Sequence, residues 1–118
     1  MLRRLRRSIR KAFGFRYIEV LEDGPSKLTL AYGPTETTFD RDSAKVFQNG
    51  KLVATTDLIE KIELHQPRNQ DGPVNWLVTV HVRGARQVEV GRITDSTDAS
   101  LIAARISGIV GRPVVLGR

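Results

Sequence analysis

Two histidines, His65 and His81, and thirteen carboxylates are the side chains of this chain suited to moving protons or holding metals; cysteine is absent. Disulfides, thiolate nucleophiles and cysteine metal sites are therefore excluded, a usage that fits a reducing compartment. On a hairpin formed by segments 58–66 and 74–83, the histidines fall five or six positions apart, about 16–20 Å at ~3.3 Å per residue. They are too far apart to share a metal ion, and both are expected on the surface. Asp40-Arg41-Asp42 alternates acids but lacks the glycine and terminal glutamate of a calcium loop, and reads as a solvated turn. Asp95 and Asp98 stand where a helix uses them as cap and first-turn charge. No serine has a nucleophile-elbow context. Gly108-Ile109-Val110-Gly111-Arg112 ends a helix, whereas phosphate-cradling glycines open one. Phe13, Phe15, Tyr17, Tyr32, Phe39, Phe47 and Trp76 make up 6% of the chain without an aromatic–basic RNA-binding signature, and Trp76 reads as core. The expectation is a chain with no catalytic residues, no metal and no cofactor, that is, not an enzyme.

The charge is more informative. At 118 residues, 40% apolar and 27% charged, the chain has the length and balance of one globular domain with net charge +6. That charge is local. Residues 1–17 hold seven basic groups (Arg3, Arg4, Arg6, Arg7, Arg10, Lys11 and Arg16) and no acid, while the remainder holds 12 basic and 13 acidic groups, a balance of −1. An acidic partner therefore meets the N-terminal segment first. Leu2, Leu5, Ile9 and Phe13, spaced by three and four, give the segment one apolar stripe at helical period, with the bases around it. No window reaches the ~18 apolar residues of a spanning helix. A secretory leader is not expected, because Arg10 and Lys11 interrupt the run Ile9–Phe15. The Arg-rich, acid-free pattern also suits an organellar transit peptide, but the chain begins at Met1 with the segment in place, so it is expected to be retained.

From Arg16 the apolar period shifts towards two. The expected strands are 16–22, with Ile18 and Val20 on one face, then 27–32, about 36–39, 43–48, 51–55, one beginning near Ile59, 74–83 and 86–93. Asn49-Gly50 supplies the strongest hairpin signal, since both turn positions need positive φ. Gly91 is expected to mark a bulge that turns Ile93 inward. The last element is a helix over 95–110, capped by Asp95, with Ile102, Ala103, Ile106, Ile109 and Val110 as its apolar stripe. Gly111 is its left-handed terminator, and Gly108 permits close approach to a sheet. Val114–Leu116 is expected as a short apolar tail beside the helix end. The fold class is mostly β (α+β): an antiparallel, partly open barrel of about seven strands capped by a C-terminal helix, with an N-terminal amphipathic basic helix. The division is a basic arm over 1–15 and a barrel domain over 16–118.

This layout resembles a pleckstrin-homology-like domain, particularly the small bacterial versions, over about residues 16–111. The resemblance rests on the strand ladder, the hairpin phrase Val46-Phe47-Gln48-Asn49-Gly50-Lys51, the Asp57–Ile62 segment leading into a strand, Trp76 in a central strand and the capping helix. Lipid-binding members have a Lys/Arg-rich loop between the first two strands. Here that loop is Glu22-Asp23-Gly24-Pro25-Ser26, so the resemblance does not imply inositol phosphate recognition there. The expected function is a non-catalytic docking module in the cytoplasm, peripheral on the cytoplasmic face of a membrane. Its arm attaches it to an anionic membrane surface or to an acidic protein within a larger assembly; a nucleic-acid or ribonucleoprotein partner is the alternative. The residues expected to meet the anionic partner are Arg3, Arg4, Arg6, Arg7, Arg10 and Lys11, with Leu2, Leu5, Ile9 and Phe13 as the apolar face.

Overall fold

The computed structural model describes residues 17–66, 75–84 and 87–117. The expected N-terminal helix lies outside them. Among the described residues, nine strands and one α-helix run in the order β1 (Glu19–Asp23), β2 (Lys27–Tyr32), β3 (Thr35–Asp40), β4 (Lys45–Gln48), β5 (Lys51–Thr55), β6 (Ile59–His65), β7 (Trp76–Val82), β8 (Val88–Ile93), α1 (Ser96–Val110) and β9 (Val114–Gly117).

These strands form two sheets rather than one continuous barrel wall. The first is the meander β1-β2-β3-β4-β5 and the second has the order β8-β7-β6-β9. The break falls at Thr56–Leu58, a 3-10 turn that takes the chain out of the β5 ladder before β6 begins at Ile59. Each hairpin has a local cause. Gly33 at φ 60° lets Tyr32 and Thr35 pair across a two-residue turn. Asn49 and Gly50, at φ 51° and 82°, form the expected primed turn between Gln48 and Lys51.

The core lies between the sheets. Leu28, Leu30, Phe39 and Val46 come from the first, Ile62, Leu64, Val78, Val80 and Val90 from the second, and Ala103 and Ile106 from α1. The helix packs on strands of both sheets. Asp95 caps it as expected, its Oδ1 accepting from the backbone N–H groups of Thr97 (2.8 Å) and Asp98 (3.4 Å). Gly111 ends it at φ 72°, donating to the Ser107 carbonyl. Two arginines bind the helix to the first sheet: Arg105 reaches the Asp23 carboxylate and the Gly24 carbonyl, and Arg41 donates to the Gly108 carbonyl at 2.7 Å.

Three expectations need correction. The alternation expected over 16–22 holds for Ile18 and Val20, with Val20 opposite the core residue Leu30, but breaks after it: the register shifts between Val20 and Glu22, making Leu21 the extra residue of a bulge and moving Glu22 to the outer face opposite Thr29. Leu21 is 7% exposed and Val20 36%. Gly108 faces outward, and a Cβ there would meet little beyond the Arg105 guanidinium. Residues 114–117 are not a tail beside the helix but β9, parallel to β6 with Ile62 opposite Val114 and Leu64 opposite Leu116. Pro113 sets the register, its carbonyl accepting from the Ile62 N–H at 2.9 Å.

The expected bulge at Gly91 is present, with the β7–β8 register shifting between Val78 and Thr79. Gly91 sits at φ 150°, and a Cβ there would fall 2.6–2.8 Å from Tyr32 Cγ and Cβ and from Ile18 Cγ1. Both sheets meet on this one backbone position. Gly91→Ala is therefore expected to destabilise the fold by about 2–4 kcal/mol through overpacking and backbone strain. Gly50→Ala, with positive φ but open space around it, should cost only about 1 kcal/mol. Urea denaturation of the two variants side by side separates the contributions.

Candidate binding surfaces

Arg3, Arg4, Arg6, Arg7, Arg10 and Lys11, with Leu2, Leu5, Ile9 and Phe13, lie outside the described residues. The described body presents two surfaces of its own, a cleft at the seam of the sheets and an acidic face on the outside of the first sheet.

The cleft has a volume of about 700 Å³ and is open to solvent. Tyr32, Thr35, Gln48 and Val53 form one wall, and Val88–Val90 of β8 the other. Ladder order explains it. Both β5 and β8 are edge strands of their sheets, and their edges do not pair with each other. Two polar links close parts of the seam. The Ile18 N–H donates to the Arg92 carbonyl at 3.0 Å, and Gln48 Nε2 donates to the Glu89 carbonyl at 3.0 Å and to Thr37 Oγ1 at 3.1 Å. Thr37 is fully buried, so the amide also satisfies a hydroxyl that burial would otherwise leave costly.

The acidic face follows from strand alternation. Leu28 and Leu30 point into the core, so Thr29 and Ala31 point outward from β2. Ala31 pairs with Glu19 on one side and Glu36 on the other. Thr29 pairs with Glu22 and Thr38, and the two threonine hydroxyls are 3.1 Å apart. Three carboxylates thus surround a small patch of alanine and threonine, with the bulge residue Leu21 beside it. The lysine on this side of β2, Lys27, lies at the other end of the strand opposite Asp40. Ala31 is only 2% exposed, and Leu21 and Thr29 are also buried, although Leu21 and Ala31 stand outside the inter-sheet core. None of Glu19, Glu22 and Glu36 is free.

The histidines differ from their expected placement. His65 pairs with Leu77, which leaves it four positions from His81 along β7 rather than five or six, about 13 Å at ~3.3 Å per residue. His81 is not a free surface side chain. Its Nε2 lies 2.6 Å from Glu63 Oε1, with both side chains about one-fifth exposed. Glu63 in turn lies over Gly117 of β9, where any Cβ would collide with its carboxylate. Asp40 accepts from the N–H groups of Asp42 and Ser43, so Asp40–Ser43 is a side-chain-closed turn. Among the described residues no group of three or more His, Asp or Glu is placed to hold a metal ion, and no helix is long and apolar enough to cross a membrane.

Neither surface was visible in the one-dimensional pattern. Gln48 reads as an ordinary polar residue before a turn, and the acidic face depends on a bulge at Leu21 that no glycine announces. Gln48→Ala is expected to lower stability by about 1–2 kcal/mol, by orphaning the buried Thr37 hydroxyl and the Glu89 carbonyl. Gln48→Glu, which cannot donate, should cost at least as much in thermal melts at neutral pH. Comparison with protein-family models, with curated proteins and with solved structures finds no match to this chain.

Proposed function

We propose that this chain is a non-catalytic docking module whose basic N-terminal segment attaches it to an anionic membrane surface, with a pleckstrin-homology-like body as the carried domain. The observation that carries the reading is the segregation of charge: seven basic groups and no acid in residues 1–17, against a balance of −1 in the rest. An anionic bilayer attracts each base near its surface by about 1 kcal/mol, and the stripe Leu2, Leu5, Ile9 and Phe13 supplies apolar side chains to insert beneath the headgroups. A helix of this length is marginal in water, so a surface that orders it is part of the reading.

Features of the body support the non-catalytic half. The side chains best suited to chemistry have structural tasks. His81 is held by Glu63, Asp95 caps α1, Asp40 closes a turn and Asp23 receives Arg105. The successive antiparallel strands and the C-terminal helix against both sheets support the pleckstrin-homology-like assignment, with β9 as an addition. Inositol phosphate capture by the β1–β2 turn has no support. Asp23 and the Gly24 carbonyl there face Arg105 and present acceptors, not donors, to a phosphate.

Co-sedimentation with vesicles of phosphatidylcholine containing about one-third phosphatidylglycerol tests the proposal. Replacing Arg3, Arg4, Arg6, Arg7, Arg10 and Lys11 by Gln should weaken binding at least about hundredfold, and moderate salt should weaken wild-type binding steeply. Phe13→Ala should weaken it about tenfold without changing the salt dependence. Equal binding by wild type and the six-fold Gln variant would refute the membrane reading. Vesicle binding too weak to detect, together with salt-sensitive capture of polyuridylate, would replace it with the nucleic-acid alternative.

A further inference from the structure

We infer that the free edge of β9 pairs with the same edge of a second copy of this chain, antiparallel about a two-fold axis at Val115. The inference is independent of the membrane reading.

The ladder fixes which backbone groups of β9 are free. β9 runs parallel to β6, with Ile62 opposite Val114 and Leu64 opposite Leu116. The Ile62 N–H donates to the Pro113 carbonyl at 2.9 Å. In a parallel ladder that phase turns the N–H and C=O of Val115 and the N–H of Gly117 towards β6. The N–H and C=O groups of Val114 and Leu116 therefore point the other way, where no further strand lies among the described residues.

The side chains of the same two residues also lack cover. Standing opposite Ile62 and Leu64, they continue the core face of the second sheet. Yet Val114 is 37% exposed and Leu116 73%, the highest value among the described large apolar side chains.

The other three sheet edges are guarded. β1 is bulged at Leu21. β5 begins with Lys51 and carries Val53 as an extra residue where the β4–β5 register shifts. On β8 the Glu89 and Arg92 carbonyls are already taken by Gln48 and Ile18. Each of these devices hinders the addition of a strand. β9 is uncharged, and its register with β6 runs without a bulge.

A second copy is the occupant because this edge is complementary to itself. Antiparallel pairing centred on Val115 puts Val114 opposite Leu116 of the second copy, and the reverse. Each such pair exchanges two hydrogen bonds, so all the free N–H and C=O groups of Val114 and Leu116 are used. The same register covers each exposed Leu116 with Val114 of the other copy, an apolar cross-strand pair. The second sheet then continues from β8 of one copy to β8 of the other. Strand length sets the strength. Two four-residue strands bury less than the ~1,200 Å² of standard interfaces, so the dimer is transient and assembles at high protein concentration.

The test uses the full-length chain, by sedimentation velocity and residue-resolved amide exchange between about 10 μM and about 1 mM. The sedimentation coefficient should rise with concentration. Exchange at Val114 and Leu116 should slow in parallel, whereas the Val115 amide, bonded to β6, is protected at every concentration. Leu116→Pro deletes a free-edge N–H without touching the β6 ladder, and should weaken self-association at least about tenfold. Leu116→Ala keeps the backbone bonds and should weaken it about fivefold, through the apolar pair alone. A monomer throughout the concentration range would overturn the inference. Association unchanged in either folded variant would do the same by placing the interface elsewhere. Protection of Val114 and Leu116 already complete at the lowest concentration would also overturn it, because the edge would then be covered within one chain.

Discussion

At Gly91 the two sheets approach until there is no room for a side chain. Tyr32 from the first sheet and Ile18 ahead of β1 both pack on that backbone position of β8. Around it stand the few links that cross the seam, Ile18 to Arg92 on one side and Gln48 to Glu89 on the other. A fold of two sheets with neither ladder continuous across the seam has no hydrogen-bonded wall to set its geometry. Side-chain packing and individual polar contacts must do so instead. The close approach at Gly91 fixes how far apart β2 and β8 sit. That spacing allows α1 to span both sheets and leaves the cleft beside Val88–Val90 open.

The division of labour between the faces follows from this. The inner faces are committed to the core, so any function must use the outer faces, the edges or the N-terminal segment. On the outer face of the second sheet, Glu63 is committed to His81 and lies over Gly117, which binds the strands together rather than presenting charge. The outer face of the first sheet is different. Its carboxylates Glu19, Glu22 and Glu36 flank Thr29 and Ala31 of β2 in the β1–β2–β3 ladder.

Much of the fold was legible in the sequence because its signals are local. Asn49-Gly50, the capping Asp95, the stripe from Ile102 to Val110 and the terminator Gly111 each need only their own neighbours, and each is found where expected. Gly91 was legible as a bulge for the same reason. What sequence reading missed depends on contacts between distant segments. Val114–Gly117 becomes a strand only because β6 offers an open parallel edge 52 residues earlier. Glu22 leaves the alternation of Ile18 and Val20 because the β1–β2 register slips at Leu21, and no residue type in Val20-Leu21-Glu22 marks the slip. The separation into two sheets depends on Thr56–Leu58, whose composition suits a strand as well as a turn. The candidate surfaces share this origin: the arm is written in periodicity and charge, while the cleft and the acidic face exist only once the strands are paired.

The parallel pairing of β9 with β6 also bears on the order in which the molecule assembles. The first sheet is built from five consecutive strands, whose contacts close short loops and form at little entropic cost. β9 joins residues about 50 positions apart and takes its register from Pro113, just past the cap that ends α1. It can seat correctly only after the helix has formed and docked. The last four strand residues therefore act as a latch that closes on a finished domain, and an incompletely folded chain leaves the β6 edge unpaired.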